Sequence, residues 1–329
     1  MSSLAGMFHE RGHKVTGSDE GVYPPMSDFL SNLGIPVADG YSPANLHPRP
    51  DLVVVGNVIR RTNPEAMELA RLGIPYTSMP DALVRYFLRD KTRIVVTGTH
   101  GKTTVSAMIA WILFNEGLDP GFMIGGLVKG FGSNYRLGNG ELFVVEGDEY
   151  DTAYFDKRPK FLHYAPHIGI ITSCEFDHAD IYESLDQIKG QFCLFAGTIP
   201  QNGALLAFGG DPVVLELVSY PNGRVQTYGL DLNMHWSVKG VRPCDAGIGG
   251  EVLNNGRRVA SGTLPLIGVH NMLNALGALA VCEKAGVAPQ SSWDALGSFP
   301  GVHRRQELLA EVAGVLVMDD FAHHPSAVR

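Results

Sequence analysis

Lys102 and Thr103, in the stretch VVTGTHGKTT at residues 95–104, set a full positive charge and a hydroxyl directly behind Gly101, with a second glycine at Gly98. A glycine loop that opens a helix turns backbone N–H groups toward its mouth, where the positive end of the helix dipole also favours an anion. Lysine adds charge near terminal phosphates, and a threonine in this position gives its hydroxyl to magnesium. Gly98, Thr99, His100, Gly101, Lys102, Thr103 and Thr104 therefore read as a phosphate cradle. The common phosphate loop carries its first glycine five residues before the one preceding lysine; here that position is Val96, and Gly98 lies two residues later.

Carboxylates and amides follow downstream. ELFVVEGDEYD delivers Glu146 at the end of an apolar run, where a carboxylate can ligate magnesium or orient a metal-bound water. Asp148, Glu149 and Asp151 come next, and Asp148 reads as part of a solvated acidic turn. HIGIITSCEFDHADIY runs into Asp177, His178 and Asp180; oxygen donors suit magnesium better than imidazole, so by itself His178 reads as structural. In GVHNMLNALGALAVCEKAG, Asn271 and Asn274 are three apart and share a helix face. Their amides could hydrogen-bond the edge of a base, or Asn271 could cap the helix and Asn274 pack.

These residues need strands that end, and helices that begin, at one place. RIVV before the glycine loop is a β-branched run, and Val105, Met108, Ile109, Ile112 and Leu113 recur with helical spacing after it. The first ninety residues show shorter α/β units. GHKVTGSD ends a helix and reaches Ser18 and Asp19 on a strand, PDLVVVGN is a strand ending at Asn57, and NPEAMELARLGIPY is a helix with Pro64 near its start and Gly73 at its end. Ligands of a doubly wound sheet sit at carboxyl ends of strands, which makes Ser18, Asp19 and Asn57 candidate contacts as well as turn and cap residues. MSSLAGMFHERG reads as a helix, so the strand and glycine-rich loop that normally open such a domain are expected to be absent. A larger α/β unit begins near residue 91, residues 222–262 suggest a β excursion within it, and SFPGVHRRQELLAEVAGVLVMDDFAHHPSAVR opens a third unit.

The 329 residues, 45% of them hydrophobic, suffice for two or three domains with substantial cores. A net charge of −8 with no basic run argues against general nucleic-acid or membrane-surface binding, so an anionic ligand must be held by local donors and metal. Cys174, Cys193, Cys244 and Cys282 form no Cys-x-x-Cys pair, and neither a signal peptide nor a long apolar stretch is visible; reduced thiols in the cytoplasm are expected.

GTHGKTT, the strand-end Glu146, DHAD, GVHNMLNALGALA, RRQE and DDFAHHP stand in the order found in the Mur ligases, the ATP-dependent amide-forming enzymes of peptidoglycan metabolism, which the whole chain resembles. The resemblance implies an α/β protein in three parts. A Rossmann-like UDP-sugar domain lacking its first strand would occupy residues 1–90, and a central P-loop-type ATPase domain with a mostly parallel sheet residues 91–300. The start of a largely missing C-terminal domain would occupy 301–329. It implies that Lys102 and the loop N–H groups hold the ATP phosphates, that Thr103 and Glu146 hold one Mg2+, and that His178 serves a second metal. His270, Asn271 and Asn274 would face adenine, Arg305 the phosphates and Asp320 the ribose. Ser18, Asp19 and Asn57 would lie on the UDP-sugar side, and Asn134 and Arg136 in GSNYRLG near the same substrate.

EGDEYDTAYFDKRPKFLHY and EFDHADIY look more like the branch that attaches the tripeptide L-Ala-γ-D-Glu-meso-diaminopimelate to UDP-N-acetylmuramate in peptidoglycan recycling than the branch that adds L-alanine. The implied partners are UDP-N-acetylmuramate and a peptide or amino-acid amine, with no nucleic acid, membrane or protein partner. Several family members carry a carbamylated lysine after DHAD; the matching place here falls near Phe192, and Lys189 is out of step. A chain without its last domain is expected to turn over weakly, and a non-catalytic nucleotide-binding module is the alternative of another class. A plain phosphate-loop kinase fits less well, because Val96 breaks its loop and Asn271 and Asn274 have no part in it.

Overall fold

Helix and strand ends in this chain are marked by local chemistry, and the elements fall where those marks stand. The computed structural model describes residues 1–177, 181–218, 225–322 and 324–328. They form two compact units, Met1–Arg89 with Tyr150–His163, and Asp90–Glu149 with Tyr164–Arg329.

In the first unit, α1 (Ser2–Glu10) leads to β1 (Gly17–Asp19), and α2 (Met26–Asn32) to β2 (Val37–Asp39), which pairs parallel with β1. A second parallel pair, β3 (Val53–Val55) and β4 (Tyr76–Ser78), is connected by α3 (Pro64–Leu72). The Asn63 side chain caps α3 by accepting from the N–H groups of Glu65 (2.9 Å) and Ala66 (3.3 Å), and Gly73 closes it with φ +58°, a conformation that favours glycine. α4 (Met79–Leu83) follows β4. Leu46, Val55, Leu69 and Ile74 make a small core against which Tyr154 and Phe155 pack.

The second unit opens with β5 (Thr92–Thr97), α5 (Lys102–Asn115), β6 (Gly121–Val128), β7 (Ser133–Arg136) and β8 (Leu142–Glu146). The chain then contributes Tyr150–His163 to the first unit, with the antiparallel hairpin β9 (Asp151–Ala153) and β10 (Asp156–Pro159). It continues in the second unit with β11 (Ile168–Ile171), α6 (Leu185–Thr198), β12 (Ala204–Phe208), α7 (Pro212–Val218), β13 (Val225–Gly229), β14 (Trp236–Cys244), β15 (Gly247–Asn254) and β16 (Arg257–Leu264). The helices α8 (Val269–Lys284) and α9 (Pro289–Leu296), the hairpin β17 (Glu307–Val312) and β18 (Val315–Asp319), and the short α10 (Pro325–Val328) complete it.

Ten strands make one sheet, in the order β16-β15-β14-β13-β12-β11-β5-β8-β6-β7. The seven from β14 to β6 run parallel; β15 and β16 extend one edge antiparallel, and β7 closes the other. Ile94, Val95 and Val96 of β5 are fully buried, as expected of a parallel strand covered on both faces. The loop after β5 lies at the switch point, since β8 and β6 lie to one side of β5 and β11 to the other. The five apolar residues that suggest α5 describe only part of its packing. Ala107 and Ala110 are also fully buried, because α8, α9 and the sheet enclose the helix.

Candidate active site

The phosphate-loop segment runs from the carboxyl end of β5 into α5, which begins at Gly101 (φ +80°) with no capping side chain on its first turn. Its leading N–H groups and the positive end of its dipole are therefore available to an anion. Gly98 has φ +130°, and a Cβ there would stand 2.3 Å from Thr172 Oγ1 and 2.8 Å from Ser173 N. The loop is pressed against the end of β11, where His100 N donates to Ser173 Oγ at 2.8 Å and Thr99 N to Ser173 O at 3.2 Å.

Lys102 Nζ donates to both carboxylate oxygens of Glu149, at 3.0 and 2.9 Å, and to Gly98 O at 2.6 Å. The pair is nearly sealed from water, with side-chain exposures of 15% and 5%. Burial works against the charge on Lys102, but the adjacent Glu149 carboxylate outweighs it and holds the lysine pKa above its ordinary value; burial pushes the Glu149 carboxyl up. Tyr182 OH donates to the Glu149 carbonyl at 2.8 Å.

Glu146 ends β8, as the sequence implies. It accepts from Thr103 Oγ1 at 2.9 Å and from Gly125 N at 2.6 Å. A Cβ at Gly125 would lie 2.9 Å from the Glu146 carboxylate, so only a glycine lets β6 come this close. Arg305 donates to Thr103 Oγ1 at 3.3 Å, with its guanidinium 5.7 Å from the Phe321 ring centre. Asn271 is buried and donates to Ile267 O and Gln306 Oε1, both at 2.9 Å; Asn274 donates to Asn271 Oδ1 at 3.3 Å and sits over Gly101. His270 is exposed at the start of α8. Asp320 accepts from Gln306 N and Ala322 N, and so ties the residues beside Arg305 to the end of β18.

Lys102, Thr103, Glu146, Asn271, Asn274, Arg305 and Asp320 thus belong to one connected region of the second unit. Arg136 does not join it. Its strand β7 runs antiparallel to β6, so Arg136 pairs with Phe122 while Ser133 pairs with Val128. The guanidinium is engaged at that other end by Asp119, by Pro120 O at 3.0 Å and by the Phe114 ring. Asn134 lies on β7 nearer the loop end. Ser18, Asp19 and Asn57 belong to the first unit, at or just past the carboxyl ends of β1 and β3. Ser18 donates to Glu65 at 2.6 Å, and Glu65 also accepts from Asn45 Nδ2 at 2.6 Å and Ser42 N at 3.1 Å. His178 and Asp180 lie outside the described residues.

Glu149, Gly125, Ser173 and Glu65 complete these arrangements, and no local pattern marks them. Among the described residues no helix is long and apolar enough to cross a membrane.

A phosphate loop at the switch point of a parallel sheet, facing a strand-end carboxylate, is the arrangement of a nucleotide-binding ATPase core, and the family models narrow it to an ATP-dependent ligase of the Mur type. Residues 1–90 match the Mur ligase family catalytic domain and residues 96–282 the Mur ligase middle domain; the chain belongs to the Mur ligase family. It is 43% identical over 328 residues to the UDP-N-acetylmuramate–L-alanyl-γ-D-glutamyl-meso-2,6-diaminoheptandioate ligase of Escherichia coli K12, covering 100% of this chain and 71% of that protein. A UDP-N-acetylmuramate–L-alanine ligase of an Arthrobacter species is 37% identical, over 100% of this chain and 68% of its own length. The crystal structure of a murein peptide ligase from Psychrobacter arcticus superposes with a TM-score of 0.87 at 36% identity, over 100% of this chain and 72% of that one.

Proposed function

We propose that this protein is an ATP-dependent ligase that joins the carboxylate of UDP-N-acetylmuramate to the amine of L-Ala-γ-D-Glu-meso-diaminopimelate, a step that reuses peptidoglycan peptide. The observation that carries the reading is the Lys102 loop facing Glu146, in a chain that matches a ligase of that specificity along its whole length at higher identity than the L-alanine-adding relative. The name of the Psychrobacter structure points the same way.

A carboxylate is a poor acyl donor because oxide would have to leave. In the proposed reaction its oxygen attacks the γ-phosphorus of ATP, which is consumed as a substrate, and ADP departs. The amine then attacks the acyl carbon of the resulting acyl phosphate, losing a proton as inorganic phosphate leaves. Two anions must approach each other in the first step. Lys102 and the uncapped start of α5 lower that repulsion, and Arg305 stands beside Thr103 to face the same phosphates. Glu149 keeps Lys102 charged and fixed against the loop. Thr103 Oγ1 and the Glu146 carboxylate offer hard oxygen donors 2.9 Å apart, which fit Mg2+; an ion held by them would offset charge on the transferred phosphoryl group. The resemblance assigns His178 to a second metal, His270, Asn271 and Asn274 to adenine, and Asp320 to ribose. Ser18, Asp19, Asn57 and Asn134 are proposed on the UDP-sugar side, with residues 1–90 as the sugar-nucleotide domain and 91–300 as the ATP domain.

The test is ATP-dependent phosphate release by the protein with UDP-N-acetylmuramate, comparing the tripeptide with L-alanine. Release with the tripeptide alone is expected. Release with L-alanine alone would move the protein to the biosynthetic branch.

A further inference from the structure

Three side chains from separate segments meet on the flank of the phosphate loop. His100 belongs to the loop, Glu175 follows β11, and His324 directly precedes α10. Their ligand atoms all lie within 4.8 Å of one another. Glu175 Oε2 is 3.5 Å from His100 Nε2 and 3.4 Å from His324 Nδ1, and the two rings are 4.8 Å apart between centres.

Ser326 N–H points at His324 Nδ1 from 3.3 Å, and His324 Nε2 faces the Phe176 carbonyl at 3.4 Å. The ring proton therefore belongs on Nε2, and the Nδ1 lone pair, turned toward Ser326 N–H, lies 3.4 Å from Glu175 Oε2. His100 Nε2 is buried without a hydrogen-bond partner among the described residues. Of the Glu175 oxygens, Oε2 has one short donor, Ser326 Oγ at 2.6 Å. Two imidazole nitrogens and a carboxylate oxygen from three segments thus converge within reach of a single ion.

We propose that His100, Glu175 and His324 form a binding site for a divalent transition metal of the zinc type. Two imidazole nitrogens and one carboxylate oxygen suit Zn2+ or Co2+ and are a poor set for Mg2+. The Phe176 carbonyl on the remote nitrogen of His324 and the Ser326 hydroxyl on Glu175 are the supports such ligands need. Burial lowers the His100 pKa against the opposing pull of Glu175, which favours the neutral imidazole that ligates metal. Side-chain exposures of 26%, 36% and 19% leave a fourth position open to water or a ligand oxygen. Because His100 lies two residues before Lys102, an ion here would fasten the phosphate loop to the segments carrying Glu175 and His324.

The other His–carboxylate group, Asp81, Asp156 and His163 in the first unit, differs in this respect. His163 Nδ1 is engaged by Asp81 at 2.7 Å and Nε2 by Thr152 Oγ1 at 3.1 Å, while Asp156 accepts a guanidinium fork from Arg158. There the Arg158 guanidinium already neutralises the Asp156 carboxylate.

The test is titration of the full chain with Co2+ in the absence of nucleotide and amine, read from visible absorption bands, so it is independent of ligase activity. One equivalent is expected to bind with bands of a four- or five-coordinate ion. Glu175→Gln and His324→Gln are each expected to weaken binding at least tenfold, and His163→Gln to leave it unchanged. His324 is partly exposed at the edge of the fold, so its variant is expected to fold even if another does not. Absence of Co2+ bands at tenfold excess, or bands of equal affinity in both variants, would overturn the proposal.

Discussion

Lys102 with Glu149 and Lys157 with Asp151 are lysine–carboxylate pairs built from neighbouring stretches of one acidic turn, yet they sit in different environments. The first is enclosed between the phosphate loop and the segment after β8, with exposures of 15% and 5%. The second spans the hairpin β9–β10 of the first unit, with its lysine 68% exposed. Between Glu149 and Tyr150 the chain passes from one unit to the other. Residue type alone therefore says little about what an ion pair does. Burial decides whether it positions a charge for chemistry or merely decorates a surface.

The sharpest test of that contrast is activity. Lys102→Ala is expected to lower ATP-dependent phosphate release by about 10²–10³-fold, the cost of losing a preorganised charge at a developing anion. Lys157→Ala should leave the rate within about twofold, and equal losses would break the comparison. Glu149→Ala strands a buried ammonium and should cost on the order of 3 kcal/mol in urea denaturation. Asp151→Ala at the hairpin should cost less than about 1 kcal/mol.

Gly98→Ala probes the loop that encloses the buried pair. With φ +130° and a Cβ 2.3 Å from Thr172 Oγ1, it should destabilise the second unit by about 2–3 kcal/mol, measured by chemical denaturation. The smallest effect is expected at the hairpin and depends on pH. Hydrogen bonds from the Arg158 side chain, reinforced by its backbone N–H and by His163 and opposed by burial, lower Asp156 from 3.8 to about 2. A carboxylate lowered in the folded state contributes stability in full above its unfolded pKa, and this is lost as pH falls through the folded value. Stability of the first unit should therefore decline from about pH 4 toward pH 2, and Asp156→Asn should flatten that limb in a pH series of denaturation curves.

Much of the scaffold is legible in local sequence. Asn63, Pro64 and Gly73 bound α3 because capping and positive φ act within a few residues. The β-branched run and glycine loop place Lys102 and Thr103 at a strand-to-helix turn, and the same reasoning places Glu146 at a strand end. The long-range partners are different in kind. Glu149 reaches Lys102 across 47 residues, Arg305 reaches Thr103 across 202, and His100 meets Glu175 and His324 from three segments. Arg136 stands in a motif beside Asn134, but the antiparallel register of β7 carries it to the other end of β6.

By itself the sequence determined the elements and the chemistry of the phosphate loop, because helix caps, glycine conformations and apolar periodicity are interactions between near neighbours in the chain. Tertiary structure alone decided which acidic residue holds Lys102, how close β6 comes to Glu146, and which imidazoles share a carboxylate. Those outcomes depend on strand order, register and burial, and such quantities exist only once distant segments have packed.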